Sequence, residues 1–470
     1  MIAKAPNSGG GPNEPILDSD PSVGSREERG ERLEGTLTVT SAVALALGVV
    51  IGAGLLALPG LAYREAGPAA VYAWVIDGLI VVPLLVIFGY LGSRHPQAGG
   101  IAGFVREGFG PRAGAATETL LLGTFSLGIP AIAIVGGDYL SYLTGGGDAM
   151  ASAAAAVLVL LAGTTNAAGA RLSGSVQQIV SYLLVAVLCG VAVAGLTAGF
   201  SGAGSAAGSG IAPLSAWAGA VPALGLVFFA FTGWEMLSFT TEEYKNPRRD
   251  YPIAVAVSFV VVIGLYVALA LAVQLLLSPD DPRISSAPIA AVLEESVGIW
   301  SGGTMAGVGV AIVVANVNGA TWAASRLAFS SAREGLLPGG LARVTTGSRL
   351  PRNAVVVTTA AFLVVVAAHA AGAFSQQAML SLAGQNFFLL YLFSVGAYLR
   401  LVRSWPARAF GLCALLPCLL VAGSFGWGLL YPAVLVVMGA TAQSLRRRAH
   451  QAATGQKETA PEKGGARKDV

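Results

Sequence analysis

Two long apolar stretches of this chain are interrupted by glycine at corresponding places. One is residues 48–59, Gly-Val-Val-Ile-Gly-Ala-Gly-Leu-Leu-Ala-Leu-Pro, and the other is residues 228–235, Phe-Phe-Ala-Phe-Thr-Gly-Trp-Glu. A helix in hydrocarbon must satisfy its own backbone groups. Gly52, Ala53 and Gly54, or Thr232 and Gly233, therefore unwind only where protein or a wet cavity supplies partners. At the first interruption the amides of Ala53, Gly54 and Leu55 would begin a half-helix, whose positive end suits a carboxylate. At the second, the carbonyls of Phe229, Ala230 and Phe231 would end a half-helix, whose negative end suits an ammonium group. A zwitterionic amino acid fits between two such ends. Glycine permits close approach and unusual backbone angles there. The competing reading is that glycine merely lets membrane helices pack closely, which accounts for most of the 62 glycines. Interruptions paired between two halves of a chain favour a binding site.

These elements need a membrane to hold them. The chain is 54% hydrophobic and 11% charged, with a mean hydropathy of +0.70, a composition of integral membrane proteins. About 20 apolar residues cross a bilayer as a helix. The sequence divides into twelve such stretches, near residues 38–62, 69–91, 117–143, 150–167, 176–199, 217–240, 253–278, 299–329, 353–373, 378–401, 408–425 and 427–445. The fold class expected is all-α and membrane-spanning, with a transport domain over residues 36–445. Residues 1–35 and 446–470 are polar and read as disordered cytoplasmic tails.

Lysine and arginine stay on the cytoplasmic side of a membrane. With the first residue inside, the inner loops hold Arg94, Arg106, Arg112, Arg171, Lys245, Arg248, Arg249, Arg333, Arg343, Arg349, Arg352, Arg403 and Arg408, and only Arg64 and Arg283 lie outside. Cys189, Cys413 and Cys418 sit in apolar helices, and His95, His369 and His450 are scattered. No disulfide, metal site or cofactor is expected from them. No phosphate-binding glycine loop of the Gly-x-x-x-x-Gly-Lys kind is present, which excludes ATP hydrolysis by that route. Nucleic acid is not an expected partner; the lipid bilayer is.

Four stretches together resemble the amino acid-polyamine-organocation superfamily of permeases. They are residues 48–59, residues 94–110, residues 229–235 continued by Glu242-Glu-Tyr-Lys-Asn-Pro-Arg-Arg-Asp-Tyr-Pro252, and residues 325–338. The finer likeness is to bacterial exporters of methionine and branched-chain amino acids. The resemblance implies the leucine-transporter fold: two inverted repeats of five helices, near residues 38–199 and 217–401, with helices 1 and 6 broken and two extra helices near residues 408–445. It implies alternating access in a bacterial plasma membrane, with efflux by proton antiport; import or exchange on the same fold, or a receptor that binds without moving its ligand, are the alternatives. Carried over by position, the substrate-binding residues are Ile51, Gly52, Ala53, Gly54 and Leu55 in the first break and Phe229, Ala230, Phe231, Thr232 and Gly233 in the second, with Phe231 as an aromatic gate. The surrounding Ile51, Leu55, Leu127, Ile129, Phe229, Phe231 and Trp322 suit an apolar side chain.

A charge at bilayer depth costs on the order of 3 kcal/mol, so the few acids there are informative. Glu235, beside the second break, is the candidate for proton coupling; a structural carboxyl capping free amides is its alternative. Asp77 is expected to make a polar contact between helices, while Glu118 and Asp138 lie towards the interfaces. Asn318 and Trp322 are one turn apart, with Ser325 a turn further on the same face. That face could line the cavity. Asn316 points nearly the opposite way and is expected to bond a neighbouring helix. Residues 94–110 read as either a lid over the inner gate or a rigid plug. A lysine that stands in for sodium in the fifth helix of some superfamily members is absent from residues 176–199.

Overall fold

The computed structural model describes residues 38–52, 54–94, 100–169, 174–202, 210–234, 246–345 and 350–458. Every regular element among them is helical. Ala53, Glu235, Arg171, Lys245, Arg349, the first expected tail and residues 459–470 of the second lie outside the described residues, whereas residues 446–458 are helical.

The first expected crossing is two helices. α1 (Val39–Val50) starts where the Thr38 hydroxyl accepts the Ser41 N–H at 3.3 Å, a side-chain cap for an otherwise unpaired donor. It stops at Ile51 (φ −76°, ψ 80°), around which the Gly52 N–H turns back to the Val50 carbonyl at 2.8 Å, a tight inverse γ-turn. α2 (Gly54–Ala66) resumes immediately, and one 3-10 turn, Gly67–Ala69, leads into α3 (Ala70–Arg94). α4 (Gly100–Phe109), α5 (Pro111–Thr144), α6 (Asp148–Ala168) and α7 (Gly174–Ser201) follow.

The second interruption is built differently. A tight helix over Leu214–Ala223 passes through one α-helical turn, α8 (Leu224–Val227), into a 3-10 turn, Phe228–Phe231. The chain becomes extended at Thr232 (φ −88°, ψ 162°), and Gly233 takes φ +107°, a conformation only glycine adopts without strain. The remaining helices are α9 (Pro247–Leu276), α10 (Arg283–Ser286), α11 (Pro288–Val297), α12 (Ile299–Arg333), α13 (Arg352–Ala370), α14 (Gln376–Leu401), α15 (Trp405–Ser424) and α16 (Leu430–Glu458).

Eleven helical stretches among the described residues are long and apolar enough to cross a membrane. The first runs α2 and α3 together as Gly54–Gly92, whereas α1 alone is too short. A count of twelve thus depends on α1 and α2 forming one interrupted crossing. α5, with 34 residues and a length of about 50 Å, is the hub against which α4, α6, α12, α14 and α16 pack. An aromatic cluster joins α3, the second interruption and α14. Phe228 meets Phe388 at 4.6 Å and Tyr391 at 5.5 Å between ring centroids, and Phe88 meets Tyr391 at 4.7 Å, all edge-on. Such geometry sets the positive edge of one ring against the negative face of the next.

The two ends of the bundle are tied separately. At one end Arg106 of α4 bonds Glu118 of α5 and reaches Glu334, just past α12, through Nη1 at 3.2 Å and Nη2 at 2.6 Å. Ser331 adds a 3.4 Å bond to Glu118. The buried face of α4 and this ion triad hold residues 100–109 against the bundle. At the other end α10 and α11 cover α2. Arg283 bonds Asp281 and Glu295, each at 2.7 Å, and lies 3.6 Å from Glu294. Tyr142 of α5 donates to Glu294. Burial raises the Asp281 carboxyl, but the hydrogen bonds and charge of Arg283 outweigh it and hold the group below its ordinary range.

Candidate functional site

The two breaks face one cavity of about 620 Å3. The first contributes Gly48, Val50, Ile51, Gly52, Gly54 and Leu55, the second Phe229, Ala230, Thr232 and Gly233. α5 closes one wall with Thr124, Phe125, Gly128, Ile129 and Ile132, and α12 another with Asn316, Asn318 and Trp322. Phe387 of α14 and Tyr266 of α9 complete it near the breaks, while Asn166 of α6 with Ser181 and Leu184 of α7 extend it to one side. That side carries the end of α6, the start of α7 and the last third of α12. It is the end of the bundle tied by Arg106.

Backbone hydrogen bonds at the breaks are more occupied than the sequence implies. The Leu55 N–H donates to the Gly52 carbonyl at 3.1 Å. Of the three carbonyls at the second break, Phe229 O accepts both the Thr232 hydroxyl at 2.8 Å and the Thr232 N–H at 3.4 Å. Ala230 O accepts the Tyr266 hydroxyl at 3.0 Å, and the same hydroxyl lies 2.9 Å from Val50 O at the first break. One side chain from α9 thereby joins the ends of both interrupted helices. Tyr266 is wholly buried, wedged edge-on against Trp74 and Phe231 with both ring centroids at 5.4 Å.

Of the two rings expected at the cavity, Phe229 lines it and Phe231, the expected gate, does not. Phe231 is fully buried against Trp74 and Tyr266, behind the break. The 3-10 turn separates successive side chains by about 120°, which sends the two rings to different faces. Phe229 instead lies 6.2 Å from Phe387, and Phe387 lies 6.4 Å from Phe125, giving an aromatic wall. A Cβ placed on Gly54 would stand 3.5 Å from the Phe229 ring, and one on Gly52 would stand 2.9 Å from the Asn316 amide nitrogen. Only the contact at Gly52 is too close for a side chain; the Phe229 ring stands at ordinary packing distance from a Cβ at Gly54.

The Gly52 contact corrects the expected order of the asparagines. Asn316 is the one beside the first break. Asn318 borders the cavity too, but its side-chain carbonyl is occupied across the helix interface, accepting from Thr165 at 2.6 Å and from Asn166 at 3.0 Å. The cavity reaches both because it curves round α12 between the first break and α6. Trp322 borders it as expected, 39% exposed, with the Arg326 guanidinium 4.9 Å above its ring. Ser325 does not: it is buried and donates to the Trp322 carbonyl at 2.8 Å. Ile129 lines the cavity and Leu127 does not.

No carboxylate lines the cavity among the described residues. Asp138 accepts from Gln376 at 2.9 Å, joining α5 to α14. Asp77 is fully buried with neither carboxyl oxygen hydrogen-bonded among the described residues, so the interhelical bond expected of it is not made. Glu235, the coupling candidate, lies outside the described residues, as does Ala53. Among the described residues, no group of three or more histidines, cysteines and acids could hold a metal.

The amino acid permease family matches residues 37–445. The chain belongs to that family. This permease is 28% identical over 413 residues to the uncharacterized amino acid permease YecA of Bacillus subtilis, which covers 87% of this chain and 95% of that protein. It is 24% identical to the L-methionine/branched-chain amino acid exporter YjeH of Escherichia coli, over 86% of this chain and 95% of that one. It is also 25% identical to the serine/threonine exchanger SteT of Bacillus subtilis, over 82% and 88%. Among solved structures, MhsT in complex with L-phenylalanine superposes with a TM-score of 0.58 at 14% identity, over 84% of this chain and 99% of that chain. The permease therefore has the leucine-transporter fold, and the superfamily resemblance read from its motifs holds. It is a multi-pass membrane transporter of amino acids and not an enzyme.

Proposed function

We propose that this permease carries neutral, apolar amino acids of the size of methionine, leucine, isoleucine and valine, exporting them from a bacterial cell in exchange for protons by alternating access. The observation that carries the substrate class is the cavity itself: two unwound backbones meet Phe229, Phe387, Phe125, Ile129 and Ile51 with no carboxylate facing them among the described residues. The half-helix ends would hold the ammonium and carboxylate common to all amino acids, and the aromatic and aliphatic wall would select the side chain. A cationic substrate would lack a counter-charge there. The full-length similarity to YjeH supports the same class.

The bound amino acid would sit with its carboxylate towards the start of α2 and its ammonium towards the end of the 3-10 turn, with Asn316 beside the first break and Trp322 at the far side. Ile51, Gly52, Ala53, Gly54, Leu55, Phe229, Ala230, Thr232 and Gly233 form this site, and Glu235 is retained as the proton-linked acid. The end of the bundle bearing Arg94, Arg106 and Arg333 would face the cytoplasm, because positive residues concentrate there. Both termini would then be cytoplasmic. The cavity would reach inward from the breaks, the direction from which an exporter loads.

Counterflow in proteoliposomes preloaded with unlabelled methionine or leucine tests this reading. Saturable entry of the labelled amino acid that responds to an imposed pH gradient is the expected result. Exchange indifferent to the gradient would contradict proton coupling, and no exchange with any neutral amino acid would contradict the substrate class.

A further inference from the structure

α3 passes behind the second break, on the side away from the cavity. Its Trp74 meets the Phe231 ring at 6.2 Å between centroids, and a Cβ on its Gly78 would press on Ile263 of α9 and stand 3.8 Å from the same ring. Asp77 lies between these two residues, wholly buried and absent from the cavity wall. It follows the start of α3 at Ala70 by seven residues, about 10 Å along the axis, which sets it at hydrocarbon depth. Neither of its carboxyl oxygens has a hydrogen-bond partner among the described residues, and neither does the Trp74 Nε1 one turn away.

No charged group among the described residues offsets this carboxyl. Of the titratable side chains on the elements packed against α3, Cys418 of α15 comes within its electrostatic reach. The Tyr266 hydroxyl of α9 is turned to the two breaks, and Tyr391 of α14 lies beside Phe88, some three turns further along α3. Arg64 and Glu65 at the end of α2 turn to Ser285 and Gln377. A bare carboxylate is among the costliest groups to carry into such a place, and a bound proton removes most of that cost. Ionisable residues kept inside membrane helices commonly belong to proton relays.

We propose that Asp77 is a proton-binding site of this permease, loaded in the conformation described, sealed behind the second break, and emptied when that break moves and admits water. On release the carboxyl O–H bond breaks, its electron pair stays on the carboxylate and the proton passes to water. The unused Trp74 N–H is a donor for the carboxylate so formed. The second break can govern this exchange because Phe229 lines the cavity while Phe231, two residues on, packs against Trp74. A ligand seated on Phe229 thus acts on the wall of a proton site that it does not touch. The inference rests on the proton-coupled reading above and adds Asp77 to Glu235. Glu118 and Asp138, the other acids in α5, are already bonded to Arg106 and Gln376.

The test compares wild-type permease with Asp77→Asn, which keeps the shape of the side chain. Infrared difference spectra in bilayers at neutral pH, without amino acid, are the first readout. The wild type should show the carbonyl stretch of a protonated carboxylic acid that the variant lacks. Loss of a carboxylate band instead, or no difference, would overturn the proposal. Proteoliposomes give the second readout: Asp77→Asn should retain saturable counterflow of methionine or leucine and lose its response to an imposed pH gradient. A variant that still responds as the wild type does, or a folded variant that loses counterflow as well, would overturn the coupling role.

The first readout involves no amino acid and no gradient. A protonated Asp77 in a wild type indifferent to pH gradients would therefore sustain the proton site and overturn the antiport reading, whereas a gradient-driven wild type without the band would do the reverse. If Asp77→Asn cannot be purified, Asp77→Glu decides, since it moves a carboxyl by one methylene: a displaced band supports the proposal, and an unchanged spectrum overturns it.

Discussion

The two breaks face the same cavity but are made in opposite ways. The first is a γ-turn at Ile51 followed by glycine, where two local bonds, Gly52 N–H to Val50 O and Leu55 N–H to Gly52 O, are joined by side chains of other elements, the Asn316 amide beside Gly52 and the Phe229 ring beside Gly54; the Tyr266 hydroxyl serves both breaks, at Val50 O and Ala230 O. The second caps itself, with the Thr232 side chain and N–H both closing on Phe229 O and Gly233 turning the chain away at φ +107°. The first break thus leans more on side chains packed beside its glycines, whereas the second is closed more by its own Thr232.

Substitutions can separate these two kinds of break, beginning with the largest effect. Gly233→Val places a branched side chain at positive φ, a strain of about 1–3 kcal/mol, and should reduce amino acid binding at least about 100-fold while the protein still elutes as a folded species. Gly54→Val should act similarly, since a Cβ there already stands 3.3 Å from Leu58 and 3.5 Å from Phe229. Wild-type affinity in either folded variant would remove the breaks from the site. A smaller, asymmetric effect is expected at the asparagines of α12. Asn316→Ala should weaken binding about tenfold, the loss of about one hydrogen bond beside the ligand. Asn318→Ala should leave affinity within about twofold and lower stability by about 1 kcal/mol, because its carbonyl serves α6. The reverse pattern would restore the order expected from helix periodicity.

Thr232→Val tests self-capping at the second break. It keeps the shape of the residue and removes one bond to Phe229 O, for an expected fivefold loss of affinity, about 1 kcal/mol. An unchanged dissociation constant would show that the turn does not need its hydroxyl. The smallest effect on binding belongs to the far end of the bundle. Arg283→Gln should leave affinity unchanged, since α10 and α11 lie outside the cavity. It should instead alter acid stability. Because Arg283 holds the Asp281 carboxyl below its ordinary 3.8, the pair stabilises the fold above that pH, and the contribution is lost as pH falls through the lowered value. Arg283→Gln should flatten that acid limb of a melting-temperature profile, and an identical profile would show that the pair adds nothing.

The sequence made the breaks legible because their signal is local. Glycine inside an apolar run, with Thr232 or Pro59 nearby, marks a backbone that cannot remain helical, and the α5, α9 and α14 spans announce themselves by length and hydropathy. What joins the breaks was not legible. Tyr266 lies 216 residues from Val50 and 36 from Ala230, and a tyrosine in an apolar helix carries no mark of which carbonyl it will meet. The place of Asn316 beside Gly52 is hidden for a related reason. Helical periodicity says which residues share a face, but not that a cavity curves round two faces. The family pattern puts both Phe229 and Phe231 at the cavity and does not say that a 3-10 turn divides them between two faces. Arg106 was legible as an inner-loop cation, yet its partner Glu334 is 228 residues away.

The central claim is that both breaks line one amino acid site, and cysteine protection tests it most directly. In a background with Cys189, Cys413 and Cys418 replaced, Ile51→Cys reports the first break and Thr232→Cys the second, each by its rate of reaction with a small methanethiosulfonate. Methionine or leucine should slow both reactions, with the same half-maximal concentration at the two positions. Protection of only one cysteine, or of neither by any neutral amino acid, would contradict a shared site.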